Sequence, residues 1–250
     1  MTRKIYNIFG AHYDLFTKQE TILKICNAID SSFQTYHRGD LNVATLVRAH
    51  LDHDFLISIN DADIVNFDGM GAILGARFLG IPSGERITGI DLFSDLLQVA
   101  SERRYTVYFL GSTDEVLTET IAKAKVCFPK LIIVGSQNGY FWGKEDEIVR
   151  KICLAAPSML FVGIQSPEKE SFIYRNKTSL NCKFVMGVGG TFDVFSGKIR
   201  RAPIWMQNYG LEWLYRVIQE PGRMWKRYLT TNSQFAWLLV RAKFRQLAGR

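Results

Sequence analysis

Residues 106–163 read TVYFLGSTDEVLTETIAKAKVCFPKLIIVGSQNGYFWGKEDEIVRKICLAAPSMLFVG, and this stretch decides the fold. Three short apolar runs, TVYFLG, LIIVG and MLFVG, are rich in β-branched and aromatic residues. Between them lie two stretches of helical character, from Glu115 to Cys127 and from Glu145 to Leu154. Strands that alternate with helices predict crossover units and a mostly parallel sheet, so the stretch indicates an α/β fold.

The same alternation continues in both directions along the chain. IYNIF precedes a helix from Glu20 to Phe33, DIVNF one from Met70 to Leu79, MLFVG one from Lys169 to Arg175, and KFVMGVG one from Phe192 to Ser196. Ligands of parallel sheets bind at the carboxyl ends of the strands. Glycine at such ends fits a close approach of the backbone to a ligand, although turn geometry alone explains any one of them. The predicted ends are Asp68-Gly69, Gly111-Ser112, Gly135-Ser136, Gly163-Ile164 and Gly187 to Gly190.

Positive charge is concentrated at the carboxyl end of the chain. The formal net charge is +7, yet residues 198–250 alone carry eleven Lys or Arg against Glu212 and Glu220, a local charge of +9. The first 197 residues are therefore slightly acidic. The basic segment also holds four of the five tryptophans. This combination is typical of a soluble protein that meets a polyanionic surface, either anionic lipid and phosphate or nucleic acid.

Composition and residue spacing exclude several other classes of protein. A hydrophobic fraction of 47% excludes global disorder. No run of about eighteen uncharged apolar residues predicts a membrane span, and the first residues lack the apolar run of a signal peptide, so we expect a cytosolic protein. Four cysteines without a CxxC spacing predict neither a zinc knuckle nor a redox pair. They are Cys26, Cys127, Cys153 and Cys182.

Beyond Gly197 the pattern predicts helices only. Ala202-Pro203 can open a helix, Glu220-Pro221 should interrupt it, and a second helical stretch follows from Gly222. Two interpretations of that stretch stay open, a membrane-interface helix with a basic flank or an ordinary packed terminal helix. Its apolar positions at helical spacing are Trp237, Val240, Phe244 and Leu247, beside Arg241, Lys243 and Arg245. We divide the chain into an α/β core, residues 1–197, and a helical appendage, residues 198–250.

Asp68 is the first candidate for chemistry. It stands where a predicted strand ends and a glycine-rich turn enters a helix, a position from which a carboxylate can point into a ligand crevice. There it could act as a general base toward an acceptor hydroxyl. The alternative is that Asp68 only caps the following helix.

Three other patterns indicate different chemistry. The run from Gly69 to Gly75, with Asp91 beyond it, is close to a dinucleotide fingerprint, but its last glycine is one position late. Asp61-Ala62-Asp63 matches a metal motif of many sugar transferases, although so short a pattern arises often by chance. His50 and His53 could face together on a helix as metal ligands, whereas histidines among surface acids are more often solvated. Motifs of serine hydrolases, zinc proteases and P-loop proteins are absent from the sequence.

Several stretches together resemble one family. In chain order they are FDGMG, ERITGIDLF, VYFLGS, FPKLIIVGSQNGYF, VGIQSPEKE, GVGGTFDVFSGKIRRAP and LEWLYRVIQEPGRMWKRYL. They resemble the WecG/TagA/CpsF glycosyltransferases, glycosyltransferase family 26, from about Ile5 to Leu229. The resemblance implies a Rossmann-like parallel sheet flanked by helices. It also implies inverting, metal-independent transfer from a nucleotide diphosphate sugar, such as UDP-N-acetylmannosamine, to a polyprenyl-diphosphate-linked saccharide at the cytoplasmic face of the bacterial membrane. No cofactor or nucleic acid is implied, and family members tend to form oligomers.

The resemblance also implies roles for particular residues. Asp68 matches the proposed catalytic base, and Arg86 matches an arginine that faces the diphosphate or acceptor. Asp40, at the position of a family threonine, is grouped with these two as catalytic. The residues assigned to donor binding are Gly111, Gly135, Asn138, Gly139, Tyr140, Lys169, Glu170, Gly189, Gly190 and Asp193. Those assigned to the acceptor and its diphosphate are Asn42, Arg216, Arg223 and Lys226. Because the resemblance implies metal-independent transfer, it implies no metal-binding role for Asp61 and Asp63.

Three positions depart from the family pattern. Asp40 replaces a threonine, Lys169 replaces a glutamine, and Gln165 replaces a glycine. The added carboxylate and the added cation change the charge of the pocket by opposed units, which predicts an altered donor or acceptor preference. Two alternatives stay open: a catalytically impaired member that acts as a scaffold in polysaccharide assembly, and a nucleic-acid-binding module whose basic tail follows phosphates.

Overall fold

The computed structural model describes residues 4–32 and 34–249, and the side chains of Arg223 and Arg227 lie outside this description. The described strands are β1 Tyr6–Ile8, β2 Ala11–Tyr13, β3 Tyr36–Leu41, β4 Ile64–Phe67, β5 Thr106–Gly111, β6 Ile132–Gln137, β7 Met159–Gly163 and β8 Phe184–Gly187. The described helices are α1 Lys18–Ser31, α2 Val43–Leu51, α3 His53–Asn60, α4 Met70–Phe78, α5 Gly89–Arg103, α6 Asp114–Cys127, α7 Glu145–Ala155, α8 Glu168–Asn176, α9 Thr191–Ser196, α10 Ile204–Asn208, α11 Glu212–Gln219 and α12 Pro221–Ala248.

Six of the strands form one parallel sheet in the order β4-β3-β8-β7-β5-β6. The predicted α/β fold with a parallel sheet and a helical carboxyl end is therefore confirmed. The prediction for IYNIF was wrong in its pairing, because β1 and β2 form a separate antiparallel hairpin. The predicted helix end at Phe33 lies outside the described residues, and α1 ends at Ser31.

The sequence did not predict β3, although this strand lies inside the sheet between β4 and β8. Its residues are YHRGDL, which lack the apolar run typical of a buried strand. Arg38 and Asp40 are buried on it nevertheless, because they contact other polar groups. The sequence also did not predict α5, which carries Leu92, Phe93 and Leu96 into the core.

Helices cover both faces of the sheet. On one face α1, α5, α6 and α9 bury apolar residues against β5, β7 and β8, with Phe93 in contact with the Phe161 and Phe192 rings. On the other face α2, α4 and α12 pack against β3 and β4, and α7 and α8 pack against β5, β7 and β8. Burial of this apolar surface is the main source of stability.

The strand order predicts a crevice between β3 and β8. These neighbours are far apart in the chain, and the helices that follow them, α2 and α9, pack on opposite faces. Such a switch point leaves an opening outside the carboxyl ends of the strands, where ligands of open α/β sheets bind. The topology therefore places the site where β3, β4 and β8 end.

The appendage is held to the core by the inner face of α12. Phe235 and Leu238 are buried with α2 and α4 residues, and the Phe235 ring also meets Phe9 edge-on. A Cβ on Gly75 of α4 would lie 2.5 Å from Cζ of Phe235, so only glycine leaves room for this ring. The packed-helix interpretation of this segment is thus correct for its inner face.

The outer face of α12 is apolar as well. Trp237, Val240, Phe244 and Leu247 are all exposed, and the Arg241 guanidinium lies over the Trp237 ring, 5.0 Å from its centroid. Other exposed apolar side chains of the appendage are Ile204, Trp205, Tyr209, Ile218, Trp225 and Leu229. Among the described helices, none is both long and apolar enough to cross a membrane.

Candidate active site

Asp68 lies directly after β4, at the carboxyl end of the sheet. Its backbone N–H donates to the carbonyl of Leu41 at 2.9 Å, and its Oδ1 accepts a hydrogen bond of 3.0 Å from the N–H of Gly89, the first residue of α5. The following helix, α4, begins after Gly69 without a side-chain cap. The interpretation of Asp68 as a cap of that helix is therefore wrong, and its carboxylate instead joins β4 to a helix on the opposite face.

The surroundings of Asp68 favour its protonated form. Burial raises the pKa of its carboxyl above the usual 3.8, and the negative charge of Asp40 raises it further. Arg38, the Gly89 N–H and Arg216 act in the opposite direction without cancelling this effect. A carboxyl with a raised pKa is a stronger base once it is ionised, which suits proton removal from a hydroxyl.

Arg38 and Asp40, both on β3, are the charged residues of the neighbouring strand that act on Asp68. Arg38 is fully buried; its Nε donates to Asn66 Oδ1 at 3.3 Å, and its Nη2 donates to the Ile87 carbonyl at 3.0 Å. Its Nη1 lies 3.8 Å from Oδ1 of Asp40. Arg38 was not among the predicted site residues. The only available signal was a charged residue two positions before Asp40 in a segment that had not been predicted as a strand.

Lys169 completes this buried cluster from the first turn of α8. Its Nζ lies 3.2 Å from Asp40 Oδ1 and 3.1 Å from Glu170 Oε1. Although burial lowers the pKa of Lys169, the two carboxylates raise it above its usual value, so the amine stays charged. The two departures from the family pattern, Asp40 and Lys169, are thus one ion pair in the folded chain.

A second ionic cluster ties the appendage to the crevice. Arg86 lies 3.2 Å from Glu212 of α11, and Glu212 also lies 3.5 Å from Arg201. Arg201 donates two hydrogen bonds to the carboxylate of Asp91 on α5, at 2.6 and 2.8 Å. Bidentate arginine–carboxylate pairs have well-defined geometry. Glu212 and Arg201 therefore fix α11 beside Arg86, a connection that the sequence did not reveal.

The predicted acceptor residues occupy different surroundings. Arg216 of α11 is exposed and close enough to Asp68 to lower its pKa. Lys226 is exposed on α12, and the side chain of Arg223 lies outside the described residues. Asn42 caps α2, because its Oδ1 accepts from the Thr45 N–H at 3.0 Å. The structure thus brings Arg216 toward Asp68, while the contact shown for Asn42 is a structural one.

The predicted donor residues after β5 and β6 form one loop cluster. Gly111 has φ +133°, and its Cβ would lie 2.4 Å from the Gly163 carbonyl group, so only glycine fits there. The Gly139 N–H donates to the Ser112 carbonyl at 2.9 Å. Asn138 donates to both carboxylate oxygens of Asp114, at 2.9 and 3.0 Å, and Tyr140 is exposed. This cluster leaves an aromatic ring at the rim of the sheet.

The remaining donor candidates divide into two groups. Gly135 was predicted at a strand end, but it lies inside β6, where a Cβ would lie 2.4 Å from the Tyr108 ring. Packing against Tyr108 therefore explains this glycine. Gly189, with φ +51°, and Gly190 do stand between β8 and α9, and the Asp193 carboxylate lies 3.9 Å from where a Cβ of Gly190 would be.

The competing motifs have structural explanations. Asp61 and Asp63 precede β4, at the opposite end of the strand from Asp68, and both contact Lys177 Nζ, at 3.2 and 2.9 Å. His50 and His53 belong to two helices that are separated by the cap residue Asp52. In the dinucleotide-like run, Gly71 gives space to Val43, and Gly75 gives space to Phe235. Close helix packing therefore accounts for that glycine spacing.

Comparison with known proteins gives a consistent picture. A family model described as "Glycosyl transferase WecG/TagA/CpsF family" matches residues 6–249. The N-acetylglucosaminyldiphosphoundecaprenol N-acetyl-beta-D-mannosaminyltransferase of Bacillus spizizenii is 37% identical over 172 residues, which is 69% of this chain and 66% of that protein. The protein of the same name from Bacillus subtilis is 33% identical over 72% of this chain and 69% of its own length. The one from Staphylococcus aureus is 28% identical over 95% and 92%.

Proposed function

Because this chain belongs to the glycosyl transferase WecG/TagA/CpsF family, we propose that it transfers a hexose or N-acetylhexosamine from a UDP-sugar to a saccharide on polyprenyl diphosphate. N-acetylmannosamine is the first candidate sugar, since the three relatives named above are N-acetylmannosaminyltransferases. The product would enter a bacterial cell-surface polysaccharide. The observation that carries the proposal is the half-buried Asp68 at the switch point, with a raised pKa and with Arg86 and Arg216 beside the same crevice.

The proposed chemistry is a single displacement. An acceptor hydroxyl oxygen attacks the anomeric carbon as Asp68 accepts the hydroxyl proton, and the bond from that carbon to the diphosphate oxygen breaks. UDP leaves with the bonding electron pair. An α-linked donor then gives a β-linked product with inversion, which agrees with the β-linked transfer in the relatives' names. Arginines are suited to the charge that develops on the leaving diphosphate, and Arg86 and Arg216 are the ones we assign.

The test of this proposal uses two measurements on the full chain. A panel of nucleotide sugars is screened for protection against thermal unfolding, since a ligand that binds the folded state raises the melting temperature. Transfer is then followed with UDP-N-acetylmannosamine and a polyprenyl-diphosphate-linked N-acetylglucosamine, with and without EDTA. We expect protection by UDP-sugars and transfer that persists in EDTA. Protection without transfer to any lipid-linked acceptor would support the scaffold alternative instead.

The pH dependence of transfer follows from the raised pKa of Asp68. The base accepts a proton only when it is ionised, so kcat/KM should fall as the pH drops through the pKa of this carboxyl. Because that pKa is raised, we expect the acidic limb to have its midpoint above the usual 3.8 of an aspartic acid. Initial rates across the acidic range measure it. A flat profile down to pH 3.8 would contradict the assignment of Asp68.

We further propose that the outer face of α12 binds the membrane surface that carries the acceptor. Exposed apolar side chains with a basic flank are typical of interfacial helices, and Arg241, Lys243 and Arg245 provide the flank. Replacing both Trp237 and Phe244 by Ser should weaken binding to anionic vesicles by at least about tenfold, since each buried aromatic contributes about 1.5–3 kcal/mol. Sedimentation with vesicles measures this effect.

The matched control for vesicle binding is Leu154→Ser. Leu154 is 80% exposed on α7, outside the appendage, so this change also removes an exposed apolar side chain. It should leave vesicle binding unchanged. Equal effects of the control and of the Trp237 and Phe244 changes would argue against a specific role for α12. Full binding to zwitterionic vesicles at high salt would argue against the basic flank.

A further inference from the structure

The ion pair between Asp40 and Lys169 has features that stability alone does not require. Both residues are buried, and they come from distant parts of the chain, β3 and α8. Burying two charges costs free energy that their attraction only partly returns, so a buried pair is weak evidence for a stabilising role. Asp40 also directly precedes Leu41, whose carbonyl accepts the hydrogen bond from the backbone N–H of Asp68, the residue that we assign as the base.

The path of the Lys169 side chain is built into the sheet. A Cβ on Gly187, the last residue of β8, would lie 2.5 Å from Cδ and 2.8 Å from Cε of Lys169. The aliphatic chain therefore passes directly over this glycine, and its amine reaches Asp40 at the end of the neighbouring strand. A side chain at position 187 would occupy this path.

The cluster is electrically balanced, with two cations and two carboxylates. Lys169 lies between Asp40 and Glu170, and Arg38 lies below Asp40. Oε2 of Glu170 is buried and has no hydrogen-bond partner among the described residues, while Oε1 lies 3.1 Å from Lys169 Nζ. Removing the lysine would leave the buried carboxylates of Asp40 and Glu170 with Arg38 as the remaining cation of this cluster.

We propose that Lys169 is a positioning residue that acts through Asp40. The two residues form one ion pair, which sets the electrostatic environment of Asp68. That environment determines the pH range in which Asp68 can accept a proton. The other groups that face Asp68 are Arg38 from β3, the Gly89 N–H from α5 and Arg216 from α11. Of these, Arg38 also contacts Asp40, at 3.8 Å, whereas Gly89 and Arg216 belong to α5 and α11. The role of the pair in catalysis rests on the proposed function, whereas its effect on Asp68 does not.

The test is a titration of the Asp68 carboxyl in the free protein by ¹³C NMR, with the Asp68→Asn variant used for assignment. Lys169→Gln removes a cation, so the pKa of Asp68 should rise. Asp40→Asn removes the nearest carboxylate, so the pKa should fall. The double variant should lie between the two single variants. A role in folding alone predicts no opposed shifts, and two singles that move the pKa in the same direction would overturn the proposal.

Lys177→Gln is the matched control. Lys177 also lies between two carboxylates, those of Asp61 and Asp63, but at the opposite end of β4. Its replacement changes the net charge equally and should leave the pKa of Asp68 in place. If Lys177→Gln shifts it as far as Lys169→Gln does, the effect is general and the proposal fails.

Two further comparisons keep the proposal testable. If Lys169→Gln does not fold, the double variant is compared with Asp40→Asn alone, and we expect the higher pKa of Asp68 in the double variant; an equal or lower value would overturn the proposal. In a transfer assay, the acidic limb of kcat/KM should move as the NMR titration does. Opposed shifts of the Asp68 pKa in a protein that transfers no sugar would refute the proposed function but not the role of the Asp40–Lys169 pair. An unshifted Asp68 pKa in variants of an active enzyme would refute the role of the pair alone.

Discussion

Asp68→Asn is expected to lower the rate of sugar transfer by about 10²–10⁴-fold, the usual contribution of a general base. The asparagine side chain retains an Oδ1 that can accept the hydrogen bond from the Gly89 N–H, so the connection between β4 and α5 should persist. What the variant loses is the ability to take up a proton. Transfer to a lipid-linked acceptor, measured under saturating donor, tests this expectation.

The control for Asp68→Asn is Asp95→Asn. Asp95 lies on α5 and forms an ion pair with Lys18 at 2.8 Å, and both side chains are more than a third exposed. The same chemical change there should leave transfer within twofold of the wild type, since exposed pairs contribute only about 0.2–1 kcal/mol to stability. Near-normal transfer by Asp68→Asn, with its melting temperature preserved, would show that another group is the base.

Phe235→Ala is expected to lower the free energy of unfolding by about 3–5 kcal/mol, the range for removing a buried aromatic ring. The ring fills the space above Gly75 and meets Phe9, so alanine would leave a cavity between α12, α4 and the β1–β2 hairpin. Denaturant unfolding followed by circular dichroism measures the change.

Phe244→Ala is the comparison for Phe235→Ala on the same helix. Phe244 is 68% exposed on the outer face, whereas Phe235 is buried on the inner face. Its replacement should change the free energy of unfolding by less than about 0.5 kcal/mol, as for most surface changes. Similar losses for the two variants would mean that both faces of α12 are packed in solution, which would also argue against vesicle binding through the outer face.

The sequence predicted those parts of the fold that have a strong apolar pattern. The runs that became β5, β7 and β8 are buried on both sides of the sheet, and such strands show as continuous apolar segments. β3 has the same position in the sheet but carries Arg38 and Asp40. These two side chains form hydrogen bonds with Asn66, Ile87 and Lys169, which are distant in sequence. No local pattern records such contacts.

The candidate site was likewise predictable from the sequence only in part. Asp68 was predicted because its place after an apolar strand is a local property. That its carboxylate meets Gly89 rather than the start of α4 depends on how α5 packs, which the sequence did not show. The resemblance named Asp40 and Lys169 as separate departures, and only the fold shows that they are partners. The link from Glu212 to Arg86 and Arg201 likewise depends on the docking of α11.

The docking of the appendage has a consequence for how the protein is made in the cell. Asp68 follows β4, and the charged residues around it come from β3 and α8. Arg216 and Glu212, the partner of Arg86, belong to α11, and the buried Phe235 comes still later in the chain. During synthesis the ribosome therefore produces the carboxylate base well before the groups that complete its surroundings. With the roles that we propose, a nascent chain that has folded its sheet lacks Arg216 and the partner of Arg86, and it gains them together with the surface that we assign to membrane binding.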